Sequence, residues 1–430
     1  MKTSNPLKRD KYKISIKRPI SAIPMISGGI VKDVIAGVNA SCTISGTRYG
    51  IVNGVVTAFG SNVPPVEDAG LRCCPAFSQL AKMTETLTDA SWGKSNLLTP
   101  TLYEVFQGQN IWNLPENTTA SAYHILVQSV GFSTVLDNSV IGMSIVAKYD
   151  GRKILFAVAA KDGTYKTCRM NILTGAIESN SGGVAASIAP IGSGYYRLFF
   201  AANILTGATT PSFNIQYDNG AGNQYTGNGV SGAYIGQPTY INFGVNGIPF
   251  TPPYFPNNTN NPIAVVSEAG GASNGTSFDL EDVNLVRLKN ALRGPNAQGS
   301  MTLSVSFGSD GAWIPNSTTI NILSANNSNA AFVKAEKDSG GVVKFTFSDG
   351  TNSVSVNKNI AANETINLKL DWGTHSTGQK IRITVNGVAS SLGSFAAGSL
   401  GPADLVMGYG LTVPMWIKKG SLKIFSRPIW

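Results

Sequence analysis

The chain is expected to be an all-β protein: a basic, mostly extended N-terminal arm followed by two β-sandwich lobes. Three observations lead there. Apolar residues recur with a period of two in many short segments, glycine is abundant at 47 of 430 residues, and charged residues make up only 13%. Helix surfaces need more Glu, Lys and Arg than this, whereas half-buried strands need alternation and turns need Gly, Asn and Asp.

Length and charge set the outline. A single core stops growing at roughly 250 to 300 residues, so a chain of this size divides into more than one lobe. The formal charge is +9, and it is concentrated at the start: Lys2, Lys8, Arg9, Lys11, Lys13, Lys17 and Arg18 face the single acid Asp10 within the first 18 positions. Such a tail docks on an acidic surface or stays solvated, and Lys8, Arg9, Lys11, Lys13, Lys17 and Arg18 are the anchoring candidates. No nucleic acid and no membrane is expected among the partners. The apolar stretch 20–35 is broken by Pro24, Gly28, Gly29, Lys32 and Asp33, and no run of 18 apolar residues occurs. Cys42, Cys73, Cys74 and Cys168 have neither zinc spacing nor disulfide density, which fits reduced thiols and cytosolic synthesis.

Residues 1–80 are read as the arm and a small β element, with a hairpin turning at Asn53-Gly54. The first sandwich is placed at 81–256. Ile141, Met143, Ile145 and Ala147 share a face there, as do Tyr196, Leu198 and Phe200, then Phe213, Ile215 and Tyr217. The stretch 257–276 is the linker, following a segment in which Pro249, Pro252, Pro253, Pro256 and Pro262 alternate with asparagines and leave no room for a regular ladder. The second sandwich is placed at 277–430. Met301, Leu303, Val305 and Phe307 alternate with polar residues, as do Val343, Phe345 and Phe347; then Ile366, Leu368, Leu370 and Trp372; then Ile381, Ile383 and Val385 before the turn Asn386-Gly387. Residues 279–293 carry helix-like end charges and a Gly294-Pro295 stop, and an irregular strand fits them equally.

Catalytic motifs are few. Gly227-Asn-Gly229-Val-Ser-Gly232 has the spacing of a dinucleotide loop, but Gly236 and Pro238 follow where a helix should run, and no acid stands near Ile248. Glycan hydrolysis would need two carboxylates roughly 5 Å or about 6.5 to 9.5 Å apart. Asp279, Glu281 and Asp282 are the only pairing worth weighing, and a solvated edge or a helix start explains them. His124 and His375 lack ligating neighbours, so no imidazole-based metal site and no cofactor is expected, an oxygen-only calcium site in the turns holding Asp310, Asp338 or Asp349 stays open, and the chain is read as non-enzymatic. Candidate glycan contacts are aromatic rings beside amides or acids: Trp313 with Asp310 and Asn316, and Tyr234 with Gln237 and Tyr240.

Taken in order, several segments resemble the concanavalin A-like, laminin G-like jelly-roll modules of bacteriophage virion proteins of the tail fibre, head fibre or capsid decoration type. They are Gly70-Leu71-Arg72, Thr86-Leu-Thr-Asp-Ala-Ser-Trp92-Gly-Lys-Ser, Gly194-Tyr-Tyr-Arg197 and Tyr225-Thr-Gly-Asn-Gly-Val-Ser-Gly-Ala-Tyr-Ile235 in the first lobe. In the second they are Ser300-Met-Thr-Leu-Ser-Val-Ser-Phe307, Leu323-Ser, the stretch 366–372, Lys380-Ile-Arg-Ile-Thr-Val-Asn-Gly387 and Leu422-Lys-Ile-Phe-Ser-Arg427. The usual Trp-Gly-Ala-Gln closing of the first module is here Ile235-Gly-Gln-Pro. The resemblance implies a structural component of a phage particle, assembled in the host cytoplasm, docked on capsid or tail through its arm and present as a homo-oligomer, a trimer by analogy. It also implies two alternatives: an adhesin for host surface glycans, or a polysaccharide depolymerase.

Overall fold

Alternation of apolar and polar side chains becomes structure only when the apolar faces of two sheets close on each other, and the chain does this twice. The computed structural model describes residues 21–22, 25–27, 30–33, 38–39, 48–60, 66–75, 77–128, 135–261, 263–265, 276–279, 297–307, 318–325, 331–361, 364–396, 404–408, 411, 413–418, 421–425 and 428–430. The anchoring candidates between Lys8 and Arg18 fall outside them, as do Asp310, Trp313, Asn316 and the stretch 280–296. Among the described residues there are strands and turns and no helix, and the expected all-β sandwich fold is the observed one.

The first sandwich packs a six-stranded sheet on an eight-stranded one. The six run in the order Gly93–Ser95, Ile125–Gln128, Ser212–Asp218, Lys153–Ala159, Tyr165–Asn171 and Ala176–Ser181. The main path of the eight is Thr101–Phe106, Gln109–Pro115, Gly232–Val245, Ser139–Asp150, Tyr195–Asn203 and Gly183–Gly192. Ile141, Met143, Ile145 and Ala147 meet Phe156, Val158, Phe213, Ile215 and Tyr217 in one core, as their spacing requires.

The second sandwich is built in the same way, and the four apolar rows read from the sequence, from Met301 to Val385, all enter its core. Its two-residue hairpin at Asn386-Gly387 has φ of 45° and 81°, and the Asn53-Gly54 turn has 51° and 73°. Both are the left-handed pairs that a type I′ turn demands.

Connectivity departs from a simple arm followed by lobes. Gly70–Cys73 lies in the large sheet of the second sandwich, with Leu71 opposite Ile417 and Cys73 opposite Met415. The chain then crosses to the first sandwich through Phe77–Gln79 and leaves it through Ile263–Val265, which pairs directly with that entering strand. The first lobe is therefore inserted between two strands of the second. Part of the stretch placed before residue 80 belongs to a sandwich, because only there can Leu71 and Cys73 bury their side chains. A buried ion pair between Arg72 and Glu67, with the Trp416 indole donating to Glu67 at 3.1 Å, fastens this strand from within.

The proline-rich segment is irregular, as expected, yet it is packed rather than solvated. Phe250, Tyr254, Phe255 and Asn257 are buried. The Asn257 amide donates to the Ala81 and Asn261 carbonyls at 2.8 and 2.9 Å, and Gln79, fully buried, donates to the carbonyls of Pro238 and Phe255. Side chains thus replace the ladder that the prolines forbid.

One acid in this junction carries a pH signature. Burial raises the Glu85 carboxyl above the ordinary value, against hydrogen bonds from the Tyr254 hydroxyl and the Asn110 amide that lower it. A carboxyl raised in the folded state contributes stability below its unfolded value of about 4.3, and this contribution disappears as pH rises through the raised value. Thermal melts of the Glu85→Gln protein should accordingly show a flatter stability profile across mildly acidic pH than the parent. An unchanged slope would contradict the assignment.

Candidate functional site

Of the residues singled out from sequence, Tyr234, Gln237 and Tyr240 fall within the described structure, and they do not form one site. Tyr234 is half-buried and stacks on Tyr103 with centroids 3.9 Å apart. Tyr240 and Gln237 are fully buried. Period-two counting puts residues 234 and 240 on one face, but pairing with Ser139–Asp150 shifts register between Ser144 and Val146. Gln237, with φ of 50° just before Pro238, is the bulge. It turns Tyr240 inward against Trp92 and Phe213, and the Gln237 side chain accepts a hydrogen bond from Arg197 at 2.7 Å.

The glycine-rich loop has a packing role. A Cβ on Gly227 would lie 1.9 Å from the Asn117 carbonyl oxygen, and one on Gly232 would lie 2.1 Å from that of Leu114. The following residues continue as strand, so the glycines let two backbones touch and cradle no phosphate. His124 is buried between the Asn96 and Tyr225 carbonyls, and His375 packs its ring edge against Trp430. Asp279 ends a short strand, whereas Glu281 and Asp282 lie outside the described residues. Among the described residues no three His, Cys, Asp or Glu side chains gather as a metal site would need. Cys168 is buried in the core, and burial pushes its thiol up to about 12, which keeps it protonated and inert.

A surface groove does appear, on the outward face of the six-stranded sheet of the first sandwich. It has a volume of about 370 Å³ and is lined by Tyr123, Ile125, Ala157, Tyr165, Thr167, Asn214, Gln216 and Asn223. Strand pairing explains it. Asn214 lies opposite Ala157, which lies opposite Thr167, while Gln216 lies between Ile125 and Leu155. These are the alternate positions to the core row of Phe213, Ile215, Phe156 and Cys168, and so point away from the core. Ala157, the smallest side chain in its row, leaves the depression. Tyr165 at 60% exposure and Tyr123 at 44% stand above the floor at either side. Four strands at about 4.8 Å spacing make the groove roughly 14 Å wide.

Floor and rim offer hydrogen bonds without charge. Asn214 is 8% exposed. Gln216 accepts from Asn223 at 2.9 Å, which fixes the orientation of its amide. None of the eight lining residues is charged at neutral pH. The charges at the margin are spent on one another: Arg169 pairs with the fully buried Asp218 at 2.7 Å, and Lys153 pairs with Glu178 at 2.6 Å. Amides and phenols on a shallow, neutral floor can bind hydroxyl-rich molecules by hydrogen bonding and ring stacking.

No protein-family model matches the chain, and no curated protein matches it. Among solved structures it is similar to domains LG4-5 of the mouse laminin alpha1 chain, with a TM-score of 0.18 and 10% identity over 72% of this chain and 92% of that one. It is also similar to the GH43 protein BlXynB of Bacillus licheniformis, at a TM-score of 0.20 and 11% identity, over 92% of this chain and 76% of that one. A point mutant of the same Bacillus licheniformis protein gives a TM-score of 0.21 and 10% identity, over 92% and 75%.

Proposed function

We propose that this chain is a non-enzymatic binding and structural protein whose first sandwich recognises neutral glycans through the groove on its six-stranded sheet. The observation that carries the reading is the pairing of two exposed tyrosines with an amide floor. Asn214 lies on the floor at 8% exposure, and Gln216 is oriented by Asn223. Both amides line the open groove, where a ligand hydroxyl can take the place of water as their hydrogen-bond partner. Tyrosine rings add apolar area for the faces of sugar rings at low entropic cost. The neutral lining favours uncharged saccharides over uronic or sialic acids, and it is the reason a depolymerase mechanism is not assigned to this face.

The second part of the proposal concerns where the protein works. The sequence resemblance to phage virion modules, together with seven cations in the first 18 residues, supports a particle component. In that reading the arm docks on capsid or tail, the lobes project, several copies assemble, and host surface glycans are the groove's ligands. Multiple copies would turn weak sites into firm attachment.

Binding is tested by titrating the protein calorimetrically with neutral oligosaccharides of glucose, xylose, mannose and galactose and with acidic ones. At least one neutral series should bind, and Tyr165→Ala and Asn214→Ala should each weaken it about three- to tenfold, the worth of one hydrogen bond or stacking contact. Absence of binding across the panel, preference for acidic sugars, or turnover of any of them would contradict the reading. Docking is tested separately by removing residues 1–20. The shortened chain should fold and keep its saccharide affinity but fail to join particles, and normal incorporation would refute the role of the arm.

A further inference from the structure

The rim of the groove is made by two very short strands, Ala122–Tyr123 and Gln224–Tyr225, paired only with each other. A two-residue ladder cannot hold its own side chains still. Immediately behind it lies a buried polar cluster. Glu116 is fully buried and accepts two hydrogen bonds from Arg152 at 2.8 and 2.5 Å, one from the Tyr225 hydroxyl at 2.6 Å and one from the Asn228 backbone amide at 2.8 Å. The Arg152 guanidinium also covers the Tyr225 ring at 5.2 Å. From the other side, Asn96 donates to the Tyr123 carbonyl at 2.8 Å, and its own carbonyl lies 2.7 Å from His124 Nδ1, while the His124 ring packs on Tyr225.

We propose that Glu116, Arg152 and Tyr225 form a positioning unit that sets the placement of Tyr123 and Asn223 and so pre-organises one wall of the groove for its ligand. This rests on the glycan-binding reading above. Tyr225 carries the link: its hydroxyl is bound to Glu116, its backbone pairs with Ala122, and its neighbour Gln224 pairs with Tyr123 and donates to the Ser121 carbonyl at 3.0 Å. None of the three residues lines the groove, so their effect on a ligand passes through the rim. Asn223 then transmits the setting to the floor through its bond to Gln216.

The unit keeps its charge over a wide pH range. Burial would raise the Glu116 carboxyl, but hydrogen bonds from Arg152, Tyr225 and Asn228, with the guanidinium charge, bring it below the ordinary value. A carboxyl lowered in the folded state gives stability that is present above the unfolded value of about 4.3 and is lost only as pH falls through the folded value. The wall should therefore hold its shape throughout the neutral and mildly acidic range.

The test places 3-fluorotyrosine at position 123 and reads its fluorine resonance in the otherwise intact chain, with and without the neutral oligosaccharide that binds best in the panel. Tyr225→Phe and Glu116→Gln should shift or broaden the resonance in the free protein and weaken that oligosaccharide about fivefold, as one lost hydrogen bond would. The core variant Ile141→Val serves as the control, compared at equal thermal stability, and should leave both readouts unchanged. An unaltered resonance in Tyr225→Phe and Glu116→Gln, or the same change in Ile141→Val, would overturn the inference. If Tyr165→Ala leaves saccharide binding intact, the glycan reading itself fails, and the fluorine signal still decides whether the cluster positions Tyr123.

Discussion

Everything in this molecule follows from one constraint: a strand with alternating side chains has two faces, and burying one of them decides what the other shows. In the first sandwich the inward row of Phe213, Ile215, Phe156 and Cys168 is fixed by the core. The same pairing then sets Asn214, Ala157, Gln216 and Thr167 on the outward side, in the order of the strands rather than of the sequence. The groove is the reverse side of a packing solution. Its floor is rigid for the same reason that the core is stable, and a rigid floor carries a small entropic penalty when a ligand binds.

Charge is handled differently at the surface and inside. Buried carboxylates such as Glu116, Asp218, Glu67 and Asp371 each have a cationic partner, and several also accept backbone or hydroxyl hydrogen bonds. Such pairs contribute little net stability relative to an apolar core, but breaking one leaves an uncompensated charge, so they specify geometry. Glu67 and Arg72 fix the strand that ties the first stretch of chain into the second sandwich, and Glu116 and Arg152 stand behind the groove's rim. The groove itself is lined by residues uncharged at neutral pH.

Much of the fold was legible in the sequence because alternation and turn chemistry are local. The rows from Met301 to Val385 and the Asn53-Gly54 and Asn386-Gly387 turns are realised as read. What was illegible depends on long-range pairing. Leu71 and Cys73 find their burial only opposite Ile417 and Met415. A single bulge at Gln237 reverses parity and sends Tyr240 inward, with Pro238 as the only local hint. The site was missed for the same reason. Tyr123, Tyr165, Asn214 and Asn223 are far apart in the chain and meet because Ser212–Asp218 inserts between Ile125–Gln128 and Lys153–Ala159. The one local signal was the pair of amides at positions 214 and 216, set between apolar residues that were themselves recognised as core.

The most direct test of this account is backbone resonance mapping of the intact chain during titration with the neutral oligosaccharide panel. The account predicts shifts concentrated on Tyr165, Thr167, Asn214, Gln216 and the rim at Tyr123 and Asn223, with the opposite sheet silent. Shifts centred instead on Tyr103 and Tyr234, on the second sandwich, or nowhere would contradict it.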